Sequence, residues 1–153
     1  MTPQRLVCFV VLLAALFAHP LQAQHTVVIR FVRNTSEFDG AGCSLWLPAD
    51  HSHSDRRYIF ISDLDDHAIM NINGRDVQLK PAGSTERKSE AKKGDRTIYR
   101  YRGDGVEVVV NYTVTGVCAP NDESCEATKY GAAITVTSGS AKRVVAAQGV
   151  CGS

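Results

Sequence analysis

A regular alternation of apolar and polar side chains runs through the middle of this chain. The apolar side chains fall at every second position, namely Val106, Val108, Val110, Tyr112 and Val114. The positions between them are mostly polar, namely Glu107, Asn111, Thr113 and Thr115. A period of two is the pattern of a β-strand that buries one face. We therefore expect one long, half-buried strand here.

Shorter runs of the same kind surround it, at 27–32, 43–47, 58–61, 68–72, 76–80, 97–102, 132–137 and 142–150. Turn-forming residues separate many of them. Asn73-Gly74 is the strongest hairpin signal, because a type I′ turn needs positive φ at both central residues. Further turns are expected at 63–66, 102–105 and 137–140. The pattern predicts an all-β fold, an antiparallel meander of about eight or nine short strands, closed as a small barrel or folded as a sandwich.

The first residues have the order of a secretory signal peptide. One basic residue, Arg5, precedes an apolar run at 6–18, and a short segment then ends on the small residue Ala23. The run is too short to cross a bilayer as a helix before Pro20. We expect 1–23 to be cleaved, leaving 24–153 as a single β domain with no membrane span, periplasmic or secreted.

Four cysteines remain in that domain, and an even number in an exported chain predicts two disulfides. Cys118 and Cys125 flank a turn-rich loop whose ends meet readily, so we pair them and pair Cys43 with Cys151. The spacing matches no common zinc module.

Removing Arg5 reduces the 17 basic residues to 16, against 16 acidic ones. A near-neutral chain lacks the excess of positive charge that binds nucleic acid. We therefore expect no nucleic-acid partner.

The segment 81–95 is a long charged loop between two expected strands. It contains no aromatic or branched apolar side chain, so it has little to bury. Its basic side chains, Arg87, Lys88, Lys92 and Lys93, form a possible contact surface. The alternative is that the loop only joins two strands.

Asp50-His-Ser-His-Ser-Asp55 is a candidate metal site. In an extended segment His51 and His53 project on one face, with Asp55 nearby, and such a pair can bind zinc or copper. We favour the alternative interpretation, in which this segment is a solvated loop between two strands. No spacing pairs a nucleophile with a base, so we expect no enzyme and no cofactor.

The segments 43–47, 59–63, 68–77 and 149–152 together resemble a recurring type of small exported bacterial protein with which no activity is associated. A second resemblance is to the periplasmic lysozyme inhibitors, which are small disulfide-bonded β-barrels. Their inhibitory loop is similar to Ser138-Gly-Ser140-Ala-Lys142, which adds Ser140 and Lys142 to the possible contact residues. The chain departs from those inhibitors in its cysteine placement and its lack of acidity.

The sequence therefore favours a non-enzymatic binding or interaction protein whose partner is another protein or a component of the cell envelope. One alternative is a periplasmic inhibitor of lysozyme. The other is a small metal-binding protein that depends on the histidine pair.

Overall fold

The computed structural model describes residues 26–38, 41–49, 57–63, 67–85, 91–120, 122 and 125–152. These residues form nine β-strands, paired antiparallel, and one 3₁₀ turn, Ser36–Phe38; they contain no α-helix. The strands are β1 (Ile29–Arg30), β2 (Gly42–Trp46), β3 (Tyr58–Asp63), β4 (Ala68–Ile72), β5 (Arg75–Ser84), β6 (Arg96–Gly103), β7 (Val106–Gly116), β8 (Ala127–Ser138) and β9 (Ala141–Gly152). The predicted all-β fold is confirmed.

Eight of these strands close into a barrel. Each strand from β2 to β9 pairs with the next one along the chain, and β9 pairs back with β2. This is an up-and-down meander, so the barrel is the correct choice between the two expected architectures. β1 lies outside the ring and pairs only with the end of β4, where Ile29 is opposite Ile72.

The alternating strand directions give the barrel two different ends. Three tight turns, at Asn73-Gly74, Asp104-Gly105 and Gly139-Ser140, lie at one end, which we call the hairpin end. The opposite end carries the connection from β7 to β8 and the loop from β5 to β6. Both disulfides lie towards it, so we call it the disulfide end.

The turns follow the backbone chemistry of their residues. Asn73 and Gly74 have φ of 54° and 83°, and Asp104 and Gly105 have φ of 47° and 74°. Positive φ at both central residues is the type I′ pattern, whose twist matches that of the flanking strands. The hairpins expected at these positions are confirmed.

The core fills the inside of the barrel. Along β7 every second side chain, from Val106 to Val114, is buried, as the alternation predicted. Many of the inward side chains are completely enclosed, among them Leu45, Phe60, Met70, Leu79, Val108, Val110, Ile134 and Val136. The barrel is therefore packed by its own side chains.

β3 and β4 are buried on both faces, which explains their nearly continuous apolar sequences. A second apolar cluster lies on their outer side, where Ile61 and Ile69 contact Val32 and Phe38. The segment after β1 therefore runs along the outside of the barrel and covers these two strands.

Some strand limits differ from the expectation. β5 continues to Ser84, so residues 81–84 belong to a strand and the charged loop begins later than the sequence indicates. The pairing of β5 with β6 shifts between Pro81 and Gly83, which marks a β-bulge. A bulge is one of the few places in a sheet that accept proline, and for this reason Pro81 does not end the strand.

Both predicted disulfides are present, Cys43–Cys151 and Cys118–Cys125. Disulfides persist in oxidising compartments, and the two bridges are consistent with an exported location. The described ranges contain no helix with the length and apolar character needed to cross a membrane.

Candidate functional site

A row of aromatic rings runs along the barrel interior, from Phe60 and Tyr101 to Tyr112 and Tyr130. Phe60 lies edge-on to Tyr101, with ring centroids 5.4 Å apart. Tyr112 lies edge-on to Tyr99 at 5.7 Å and to Tyr130 at 5.5 Å. An eight-stranded barrel is just wide enough to be filled by side chains or to hold one small ligand. Here side chains fill the interior, so a ligand site is expected at one of the ends of the barrel.

A half-open recess of about 360 Å³ lies at the hairpin end. It is lined by Thr26, Val27, Val28, Ile29, Leu47, Ile59, Arg143 and Val145. Val27 and Ile59 are buried in its floor, whereas Val28 is 43% exposed at its rim. Apart from Thr26 and Arg143, all the lining side chains are apolar. We refer to this feature as the mouth recess.

The wall formed by 26–29 is held in place by the first tight turn. The backbone N–H of Val28 donates to Asn73 Oδ1 at 2.8 Å, and the N–H of Asn73 donates to the carbonyl of Val28 at 2.7 Å. The guanidinium of Arg57 lies 4.3 Å from the ring centre of Phe31 and adds a second attachment. The wall is therefore fixed to the barrel through the turn between β4 and β5.

A β-bulge places Ile59 in the floor of the mouth recess. Leu45 pairs with Phe60 but the next residue, Trp46, pairs with Tyr58, so Ile59 is the extra residue of β3. Bulges re-aim side chains at the rims of barrels. As a result Ile59 and Phe60, although adjacent in sequence, belong to the same apolar cluster.

Arg143 is the single charged side chain in the lining of the mouth recess. Along β9 the odd-numbered residues face inward: Ala147 and Cys151 are buried, and Ala141 and Val145 pack against the core. Arg143 is in this inward row, at the mouth. No carboxylate among the described residues forms an ion pair with it.

The expected contact residues are not brought together. Ser140 and Lys142 are exposed at the hairpin end, in and beside the turn between β8 and β9. Lys92 and Lys93 are exposed at the disulfide end, on the loop between β5 and β6. Arg87 and Lys88 lie outside the described residues. The described members of the set therefore belong to two opposite surfaces.

The metal candidates His51, His53 and Asp55 lie outside the described residues. Further along the chain, Asp63 and His67 contact each other: the His67 N–H donates to Asp63 Oδ1 at 2.8 Å, and the ring nitrogen Nδ1 lies 3.2 Å from Oδ2. Asp63 and His67 lie at the disulfide end, on either side of the connection from β3 to β4, whereas Ala49 and Arg57, which flank the histidine pair in sequence, lie at the hairpin end. Within the described part of the chain, no three His, Cys, Asp or Glu side chains cluster closely enough to hold a metal.

The Asp76 carboxylate is the most strongly engaged acid of the described residues. It accepts hydrogen bonds from the backbone N–H groups of Arg33 and Asn34 and, at 2.6 Å, from Asn71 Nδ2. Burial by itself raises the pKa of Asp76, but the hydrogen bonds from Asn34, Asn71 and Arg33 and the charge of Arg33 outweigh it. The pKa therefore lies below its ordinary value, and the ionised group fastens the segment after β1.

The sequence analysis missed the mouth recess and Arg143. The signal was present in β9, where an arginine interrupts a row of small and apolar residues at alternate positions. The interruption can be recognised only when it is known which residues of β9 face the barrel interior.

Searches of protein-family models, of curated protein sequences and of solved structures find no match for this chain.

Proposed function

We propose that this protein is an exported, non-enzymatic binding protein of the bacterial cell envelope, and that it binds its partner through the mouth recess. The observation that carries the proposal is the mouth recess itself, an apolar hollow with one cation at the rim of a closed barrel. Ligand sites are typically concave and mostly apolar, with a few placed polar groups. The expected signal peptide at 1–23 and the two disulfides agree with export.

The rigidity of the surroundings supports a preformed binding site. The walls of the mouth recess come from strands of a closed barrel and from a segment hydrogen bonded to a tight turn. A preformed site loses little entropy when a ligand binds.

A neutral fluorescent probe, N-phenyl-1-naphthylamine, tests this proposal. We expect saturable binding at one site per chain, because apolar surface of the probe leaves water in the mouth recess. Val28→Asp should weaken binding by about tenfold or more, since a carboxylate would be desolvated at the rim.

Val117→Asp is the matched control. Val117 is 47% exposed, close to the 43% of Val28, but it lies at the disulfide end. This variant should bind the probe like the unmodified protein. Absence of saturable binding, or equal loss in both variants, would contradict the proposed site.

The lysozyme-inhibitor alternative retains one supporting observation. The turn between the two twelve-residue strands β8 and β9 presents Ser140 and Lys142, both exposed, at the hairpin end. A hairpin of this kind can enter a cleft. Potent inhibition of a lysozyme that is lost in the Ser140→Ala, Lys142→Ala double variant would support this alternative, and an unaffected lysozyme would exclude it.

A further inference from the structure

Arg143 breaks the pattern of the strand that carries it. Its neighbours in the inward row of β9 are Ala141 and Val145, which pack against the core. Arg143 is exposed at the mouth end of this row, where its guanidinium is accessible to a ligand. Residues that break a local sequence rule without a compensating contact tend to belong to functional sites. Since no carboxylate among the described residues pairs with Arg143, its guanidinium indicates the polar group of the ligand.

The shape of the mouth recess limits the apolar part of that ligand. A volume of about 360 Å³ is at the small end of the range for ligand sites. Apart from Thr26 and Arg143, its lining is aliphatic, formed by valine, leucine and isoleucine side chains. These properties suit one aliphatic chain better than a lipid with two chains.

The chemistry of the Arg143 guanidinium indicates which polar group the ligand carries. Arginine binds carboxylate, sulfate and phosphate groups through paired N–H donors, and apolar surroundings strengthen the attraction. Lys142, adjacent in sequence, faces away from the barrel interior and is not part of the lining of the mouth recess. An anionic head group would therefore be held at the edge of the mouth recess.

We propose that the mouth recess binds a free single-chain anionic amphiphile of the fatty-acid type. The aliphatic chain lies against Val27, Val28, Leu47 and Ile59, and the head group pairs with Arg143. This inference rests on the proposed binding function of the same recess. It goes further by naming the chemical class of the ligand and the residue that selects it.

Titration calorimetry with matched ten-carbon probes below their micelle concentrations tests the inference. Decanoate and decyl sulfate should bind about ten- to a hundredfold more tightly than decanol or decyltrimethylammonium, which is the range for a hydrogen bond to a charged group. Added salt should weaken the binding of decanoate but not that of decanol.

Arg143→Gln should reduce the affinity for decanoate to that for decanol and leave decanol binding unchanged. Arg143→Lys should restore part of the preference. Lys142→Gln is the matched control, since it removes the same charge from the next residue on the other side of the strand. It should change the affinity for decanoate by no more than about twofold. Because the side chain of Arg143 is exposed, the Arg143 variants should have the same melting temperature as the unmodified protein.

The outcomes separate this inference from the proposed function. Equal binding of all four probes, unaffected by Arg143→Gln, would overturn the choice of an anionic ligand and leave the mouth recess as a binding site. A loss of decanoate binding in Lys142→Gln equal to that in Arg143→Gln would overturn the role of Arg143. If neither the amphiphiles nor the neutral naphthylamine probe binds, both proposals are wrong.

Discussion

At the scale of single residues, Asp76 connects the outer segment to the barrel. Its carboxylate accepts from Arg33 N–H at 2.9 Å, from Asn34 N–H at 3.0 Å and from the side chain of Asn71. Asn71 is completely buried, and its Oδ1 atom has no hydrogen-bond partner among the described residues. The buried amide therefore depends on Asp76 for its contact, and so does the start of the segment that covers β3 and β4.

Replacing Asp76 with asparagine should destabilise the protein at neutral pH by about 1–2 kcal/mol, because one acceptor cannot replace two and the charge is lost. The folded-state pKa of Asp76 is lowered. Its contribution is therefore complete above the unfolded pKa of about 3.9 and disappears as the pH falls through the folded value. Urea unfolding at pH 7 and in acid should show the Asp76→Asn protein and the unmodified protein converging in acid.

Asp104→Asn is the control, since Asp104 is an exposed turn residue with φ of 47° and asparagine tolerates positive φ equally well. This change should have little effect at either pH. A loss of stability in Asp76→Asn that is equally large in acid would show that the hydrogen bonds do not depend on the charge.

At the scale of elements, residues 91–95 of the loop between β5 and β6 are attached to the barrel. Ala91 packs against the core of the barrel. The Lys92 N–H donates to Asp95 Oδ2 at 2.9 Å, and Val114 exchanges backbone hydrogen bonds with Gly94 and Asp95. This part of the loop therefore extends the pairing of β6 with β7 rather than standing free in solvent, as its charged composition suggested.

Two five-residue replacements test this division of the loop. Replacing 91–95 with glycine and serine, with Gly94 kept, should lower the unfolding free energy by about 1–2 kcal/mol through the lost packing, the lost cap and the added chain entropy. The same treatment of 86–90 should change it by less than about 0.5 kcal/mol, because the sequence of this segment contains no aromatic or branched apolar side chain to bury. Urea unfolding measures both, and a larger effect of the 86–90 replacement would contradict the assignment.

At the scale of the whole molecule, the barrel depends on one distant pairing. Every other pairing in the ring joins two strands that follow each other in the sequence. The pairing of β2 with β9 instead joins the first and last strands of the ring. Cys43 and Cys151 are directly opposite each other in this pairing and 108 residues apart in sequence. The disulfide therefore bonds the barrel at the seam where closing it costs the most chain entropy.

Removing the seam disulfide with a Cys43→Ala, Cys151→Ala double variant should cost about 4–5 kcal/mol, and removing Cys118–Cys125 about 2–3 kcal/mol, according to the size of the loop each bridge closes. Urea unfolding of both double variants at neutral pH measures the difference. Equal losses, or a larger loss for the short bridge, would show that the strain of the bridges rather than loop entropy determines their contribution.

The sequence alone was sufficient for the local structure. The period of two placed β7, the Asn73-Gly74 dipeptide placed a type I′ turn, and the cysteine spacing predicted the correct pairs. These properties depend on a residue and its near neighbours, or on a loop between two cysteines. Where a strand was misjudged, at Pro81 in β5, the cause was a bulge that only the pairing with β6 reveals.

Closure and the mouth recess were decided by the tertiary structure. An alternating meander is equally compatible with a sandwich and a barrel, and only the pairing of β2 with β9 distinguishes them. The mouth recess joins residues near 27, 47, 59 and 143 that no local pattern relates. Strand periodicity determines which side chains share a face, but whether that face meets core, solvent or a cavity depends on contacts between segments distant in the chain. For this reason only the tertiary structure shows that Arg143 lines the mouth recess.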